Sequence, residues 1–162
     1  LKLTLLRPEG RIWTLVAGGG ASVVFADTIA DTWGVENLAN YGEYSGNPTT
    51  EETFTYADTV IDLMTRKADK EGKPKILIIG GAIANFTDVA KTFTGIVQAF
   101  KKNAKKMLKH NVHIYVRRGG PNFQRGLKII REEAELLGLP IKVFGPSTHL
   151  TQIVKASQDE HQ

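Results

Sequence analysis

Residues 75–88 read KILIIGGAIANFTD. The apolar run from Ile76 to Ile79 is short, unbroken by polar residues and closed by two glycines, the pattern of a buried strand ending in a turn. A strand apolar on both faces is expected in a parallel sheet with helices on either side. Gly80 and Gly81 then give way to Asn85 and Thr87, which stand where a helix could begin. Small and polar groups at the tip of the most apolar strand imply that this tip holds something.

Working outward, three more segments read as buried strands: 12–16, 112–116 and 141–144. A fifth, around 37–41, is weaker and more polar. Helical patterns lie between them. Residues 21–33 carry Val23, Val24, Phe25 and Ile29, and 53–67 carry Tyr56, Val60, Ile61 and Met64. Residues 87–108 carry Val89, Phe93, Ile96, Val97 and Phe100, and 123–137 carry Leu127, Ile130 and Leu137. Strand alternating with helix predicts parallel strands joined by right-handed crossovers. The expected fold is α/β: a flavodoxin-like, doubly wound parallel five-stranded sheet in three α/β/α layers, one domain over residues 1–162. The segment GEYSGNPTTEE, residues 42–52, is a long connection after the second strand, the kind that often carries function.

The 162 residues suffice to bury a core, and 41% hydrophobic with 23% charged residues is ordinary for a soluble globular domain. No apolar stretch is long enough to span a membrane, and LKLTLLRPEG lacks the apolar centre of a signal peptide. With no initiating Met, the chain is expected to be a piece of a longer protein. Cysteine is absent, which excludes disulfides and thiolate metal sites and fits a reducing compartment, so a cytoplasmic setting is expected. Much of the net charge of +4 sits in KKNAKKMLKH, residues 101–110. No aromatic residues interleave there to stack bases, so a solvated helix face is the expected reading rather than a nucleic-acid patch.

Parallel strands aim all their carboxyl ends at one edge, and glycines follow every strand. They are Gly18, Gly19 and Gly20 after the first, Gly46 after the second, and Gly80 and Gly81 after the third. Gly119 and Gly120 follow the fourth and Gly145 the fifth. Turn chemistry alone favours glycine, but open α/β sheets bind ligands beyond the carboxyl ends of their strands. Glycines there let a ligand reach backbone N–H groups, and helix N-termini favour negative charge. Arg117 and Arg118 end the fourth strand; side chains alternate faces, so one is expected to meet the crevice while the other packs or pairs elsewhere. A guanidinium at such a rim suits bidentate capture of a carboxylate or phosphate. Thr87 and Asn122 could equally serve as N-caps of the helices they precede. The rim reads as a site for a small, multiply anionic molecule.

Other motifs fare less well. GGGASV places Gly18 and Gly20 as in a dinucleotide fingerprint, with Glu43 near the ribose-acid position, but Val23 occupies the third small-residue place. No Gly-Lys-Ser/Thr occurs, and the first strand does not end in acids as a phosphoacceptor domain requires. Asp27 and Asp31 share a helix face that reads as solvated, His149 lies on the rim without a carboxylate motif, and His110 and His113 are too isolated for a metal site.

The strings RPEGRIWTLVAGGGASVVFADTI (7–29), ANYGEYSGNP (39–48), KILIIGGAIANFTDVA (75–90) and VRRGGPN (116–122) resemble, in order and spacing, the citrate-binding domain of ATP-citrate lyase. That domain is itself similar to the C-terminal domain of the succinyl-CoA synthetase β subunit. The resemblance covers roughly residues 7–154. It implies a part of an enzyme that converts citrate, CoA and ATP to acetyl-CoA, oxaloacetate, ADP and phosphate with Mg²⁺. By position it implies that Gly46, Asn85, Thr87 and Arg118 contact citrate. It implies no catalytic residue, metal or cofactor in this domain itself, and the phosphorylated histidine of the family, which belongs to a separate CoA-ligase-type domain, is not assigned to His149. Implied partners are an ATP-grasp region of the same chain and a CoA-ligase or citrate-synthase-like unit in a larger oligomer, with no nucleic acid or membrane. Citryl-CoA synthetase, a succinyl-CoA synthetase-type ligase and a subunit-docking module are the alternatives.

Overall fold

The strand announced by KILIIGG is β4 (Ile76–Gly81), with all six residues buried. The computed structural model describes residues 2–43, 48–81 and 88–161. In it β4 pairs in parallel with β2 (Ile12–Ala17) on one side and β5 (His113–Arg117) on the other, and β6 (Ile141–Phe144) pairs with β5. Five helices cover this sheet: α1 (Gly19–Trp33), α2 (Thr50–Met64), α3 (Val89–Lys109), α4 (Phe123–Leu136) and α5 (Leu150–His161).

Alternation along β4 divides the interior in two. Leu77 and Ile79 pack with Val60, Ile61 and Met64 of α2, Phe93 and Phe100 of α3, and Ile130 of α4. Ile76 and Ile78 pack with Phe25 and Ile29 of α1 and with Ile153 and Val154 of α5. Hence the three layers: a parallel sheet buried on both faces reads as continuous apolar sequence because each neighbouring residue faces a different core.

The second of the five expected strands takes an unusual form. Leu38 makes a single parallel bridge to Ile12, and Ala39 N–H donates to Ile12 O at 2.9 Å. Beyond it the Asn40 side chain replaces the backbone ladder. Its Oδ1 accepts from Thr14 N–H at 2.7 Å, and its Nδ2 donates to Thr14 O at 3.0 Å. The backbone, freed from β2, forms β3 (Asn40–Glu43) and pairs antiparallel with β1 (Lys2–Leu5). The bridged segment still lies outside β2, so the five expected strands stand in spatial order 2-1-3-4-5, the flavodoxin-like order.

Among the described elements, β1, α5 and a short 3-10 turn at Val35–Asn37 were not anticipated. The other helices start and stop where local chemistry dictates. A capping box begins α2 three residues earlier than its apolar pattern: Thr49 Oγ1 accepts from Glu52 N–H, and Glu52 Oε1 accepts from Thr49 N–H, both at 3.0 Å. The N-cap of α3 is Asp88, whose carboxylate accepts from Lys91 N–H at 3.2 Å, so the capping role considered for Thr87 falls one residue later. Asn122 holds the N-cap position of α4 in the left-handed region (φ 59°) but makes no side-chain capping bond.

Candidate functional site

The carboxyl edge of the sheet is where β2, β4, β5 and β6 end, and the order reverses between β2 and β4. Such a reversal opens a crevice, because the connections leaving the two strands run to opposite faces. Of the four residues expected to contact a ligand, Gly46, Asn85 and Thr87 lie outside the described residues. Arg118 lies within them, at the crevice.

Arg117 and Arg118 take opposite faces, as alternation requires. Arg117 is consumed by structure: its Nη1 donates to Gly81 O at 3.0 Å, its Nε to Thr148 O at 2.9 Å and its Nη2 to Pro146 O at 3.0 Å. Burial, and then the neighbouring charge of Arg118, hold the Arg117 guanidinium below its ordinary pKa. Arg118 turns to the other face and is 0% exposed. Its own N–H donates to Phe144 O at 3.1 Å, which anchors its backbone to β6.

The guanidinium of Arg118 lies over the end of β4. A Cβ added to Gly81 would stand 2.4 Å from Arg118 Nη1 and 3.0 Å from Ala17 Cβ, so only glycine leaves the side chain its place at the junction of β2 and β4. Gly80 points to the opposite face, where an added Cβ would stand 2.6 Å from Phe25 of α1. The two glycines of KILIIGG therefore have different reasons: Gly80 admits a helix and Gly81 admits a cation.

Three helix N-termini at this edge, those of α1, α4 and α5, carry no acid in the first turn. Gly18 caps α1 at φ 88°, a conformation costly for other residues, with no side-chain capping bond and no acidic residue in the first turn. The first turn of α4 likewise lacks an acid. The N-termini of α2 and α3, by contrast, already hold Glu52 and Asp88. The N-termini of α1, α4 and α5 therefore keep the favourable end of the helix dipole for an anion, on the same edge as Arg118.

The remaining candidates separate cleanly. Val23 is 47% exposed and does not face the sheet, so the small residue a dinucleotide fold needs there has no counterpart contact. Glu43 stands opposite Lys2 in the β1–β3 ribbon. Asp27 and Asp31 are exposed on α1. His149 is exposed ahead of α5, with its N–H donating to Gln152 Oε1 at 3.0 Å. His110 and His113 lie at the amino edge, and among the described residues no three His, Asp or Glu side chains form a metal-sized cluster. In the lysine run, Lys101 pairs with Glu133 (3.5 Å), Lys102 with Asp58 (2.9 Å) and Lys106 with Asp62 (3.5 Å), which is a helix face stitched to α4 and α2.

A cavity of about 630 Å³ lies at the amino edge, between residues 8–11 and 67–75. Its two buried cations are already bound to backbone carbonyls: Arg11 donates to Pro74 O at 3.0 Å, and Lys75 Nζ donates to Met64 O and Lys67 O. Volume there is not matched by ligand-seeking chemistry.

Sheet order and covering helices define a flavodoxin-like α/β domain. The chain belongs to the ATP citrate lyase citrate-binding family, whose family model matches residues 1–160. It is 60% identical over 154 residues to the ATP-citrate synthase of Mus musculus, covering 95% of this chain and 14% of that protein. It is 52% identical to ATP-citrate synthase alpha chain protein 3 of Arabidopsis thaliana, covering 98% of this chain and 37% of that one. Among solved structures it resembles ATP citrate lyase from Methanothrix soehngenii in complex with citrate and coenzyme A. There the TM-score is 0.93 at 56% identity, over 98% of this chain and 41% of that one. The chain therefore spans well under half the length of these relatives.

Proposed function

We propose that this domain binds citrate at the carboxyl edge of its sheet and holds it for an ATP-citrate lyase reaction, in which citrate, CoA and ATP become acetyl-CoA, oxaloacetate, ADP and phosphate. The observation that carries the reading is Arg118: a guanidinium drawn fully inside the fold, placed over Gly81 at the point where the strand order reverses. A planar fork of donors suits a carboxylate, and burial strengthens the pairing by lowering the local dielectric. Asn85 and Thr87 would donate to the other carboxylates, and Gly46 would let the ligand approach the backbone. The acid-free N-termini of α1, α4 and α5 supply positive potential for a trianion.

In this reading the domain orients citrate and leaves ATP, Mg²⁺ and CoA chemistry to an ATP-grasp region and a CoA-ligase-type unit of the parent enzyme, in the cytoplasm. The rim supplies a cationic donor, Arg118, for that orienting role. A subunit-docking role is compatible with it.

Calorimetry on the 162-residue chain with citrate and succinate tests the reading. Citrate is expected to bind at least ~10-fold more tightly than succinate, the ratio that one lost carboxylate contact of about 1.4 kcal/mol would produce. Arg118→Ala is expected to abolish citrate binding while the circular dichroism spectrum stays unchanged. Equal affinity for the two acids would refute the citrate assignment.

A further inference from the structure

The end of α5 meets the start of β5 in a cluster that the citrate reading does not use. The His113 ring on β5 packs edge-on against His161 on α5, with centroids 4.4 Å apart and planes at 69°. His161 Nε2 lies 2.9 Å from the Tyr115 hydroxyl, which itself donates to the Glu160 carboxylate. Lys142 of β6 pairs with the same carboxylate. Arg11, ahead of β2, adds positive potential at His161, and Trp33 of α1 stacks against Arg11 at 5.1 Å. β4, the other strand packed here, contributes only apolar Ile76 and Ile78.

We propose that His113 and His161 form an acid-sensitive latch, holding α5 on the sheet while both rings are neutral and releasing it when both become charged. The geometry sets the sign. The hydroxyl of Tyr115 has one proton and gives it to Glu160, so neutral His161 donates its Nε2 hydrogen to the hydroxyl oxygen. One added proton is tolerated, because Glu160 lies close by. A second must place two imidazolium rings 4.4 Å apart, beside Lys142 and Arg11, where among the described residues Glu160 is the carboxylate at hand and Lys142 already shares it. Burial is the main cause holding both histidines below their ordinary pKa, followed for His113 by the His161 charge. Burial likewise raises Tyr115 well above its usual value, so it stays protonated throughout.

For a histidine whose folded pKa is depressed, the unfolded or undocked form binds more protons. The latch is therefore intact above about pH 6.5 and weakens as pH falls below that value towards the lower folded pKa values. What it holds matters to the whole back layer. Ile153 and Val154 of α5 fill the core against Ile76, Ile78 and Tyr115, and Trp33 Nε1 donates to Ser157 Oγ at 3.2 Å. The loop leading into α5 supplies the Pro146 and Thr148 carbonyls that fix Arg117.

Hydrogen exchange followed by mass spectrometry tests the latch on the 162-residue chain, reading the α5 segment against the α3 segment after correction for intrinsic exchange. Protection of α5 is expected to fall about tenfold between pH 7.5 and pH 5.0 while α3 holds, since helices open as local units. His113→Phe keeps an aromatic edge but cannot titrate, and its α5 protection should change less than about twofold over the same range. His161→Phe serves as the second variant, from the helix side, in case the first perturbs the strand. An unchanged α5 in the parent chain, or an equal fall in both variants, would overturn the proposal. Citrate is absent from the experiment, so its outcome is independent of the reading of the rim.

Discussion

The two edges of one sheet differ in what their helix ends present to a buried cation. At the amino edge, Lys75 reaches the carbonyls of Met64 and Lys67, where α2 ends, and Arg11 reaches Pro74 O. Helix C-termini present unsatisfied carbonyls and negative potential, so cations placed there are neutralised by the fold itself. At the carboxyl edge the helices begin, and the backbone already presents N–H groups. Arg117 is held there by the carbonyls of Gly81, Pro146 and Thr148, while Arg118 lies over Gly81 beside those helix starts. A cavity of about 630 Å³ sits at the first edge and the anion-seeking chemistry at the second. Polarity of strand ends, more than volume, marks where a ligand belongs.

Arg118→Lys should sharpen the contrast most. It keeps the charge but loses the fork, and citrate affinity measured by calorimetry is expected to fall about 30-fold, near 2 kcal/mol. Lys75→Met next removes two donors from carbonyls at the end of α2. Urea unfolding is expected to show a loss of about 1–3 kcal/mol with citrate affinity unchanged. If affinity fell in step with stability, the edges would not be independent and the contrast would break. Gly81→Ala forces its methyl against Arg118 Nη1; about a tenfold loss of citrate affinity is expected, with a melting temperature close to the parent's. The smallest effect belongs to Asp88→Ala, which uncaps α3. It should cost about 1 kcal/mol in thermal unfolding without weakening citrate, because it removes a negative charge from the rim.

Much of this arrangement could be read from the chain. The runs at 12–16, 75–79, 112–116 and 141–144 became strands within two residues at either end because apolar sequence on both faces has few other folded fates. Membership of the citrate-binding family was legible in the ungapped strings around the glycines. Other features were silent for identifiable reasons. α5 buries Ile153, Val154 and Ser157 in a chiefly polar stretch, too thin a stripe to stand out. Lys75 looked like the first residue of a strand, yet its side chain serves a helix end eleven residues earlier. Alternation showed that Arg117 and Arg118 must diverge, but which one faced β4 depended on the carbonyls that the 146–148 loop offers to Arg117. Thr87 was weighed as a cap although Asp88, a stronger cap, was its neighbour.

Asn40 has a consequence beyond its own two bonds. A parallel sheet that stops at β2 would present a row of bare backbone groups, a template on which another polypeptide could add itself. Here a carboxamide answers both the N–H and the C=O of Thr14, while Ala39 answers Ile12. That flank is closed to strand addition at the cost of a single side chain, so the ribbon of β1 and β3 is free to lean away from the sheet without leaving a sticky seam behind it.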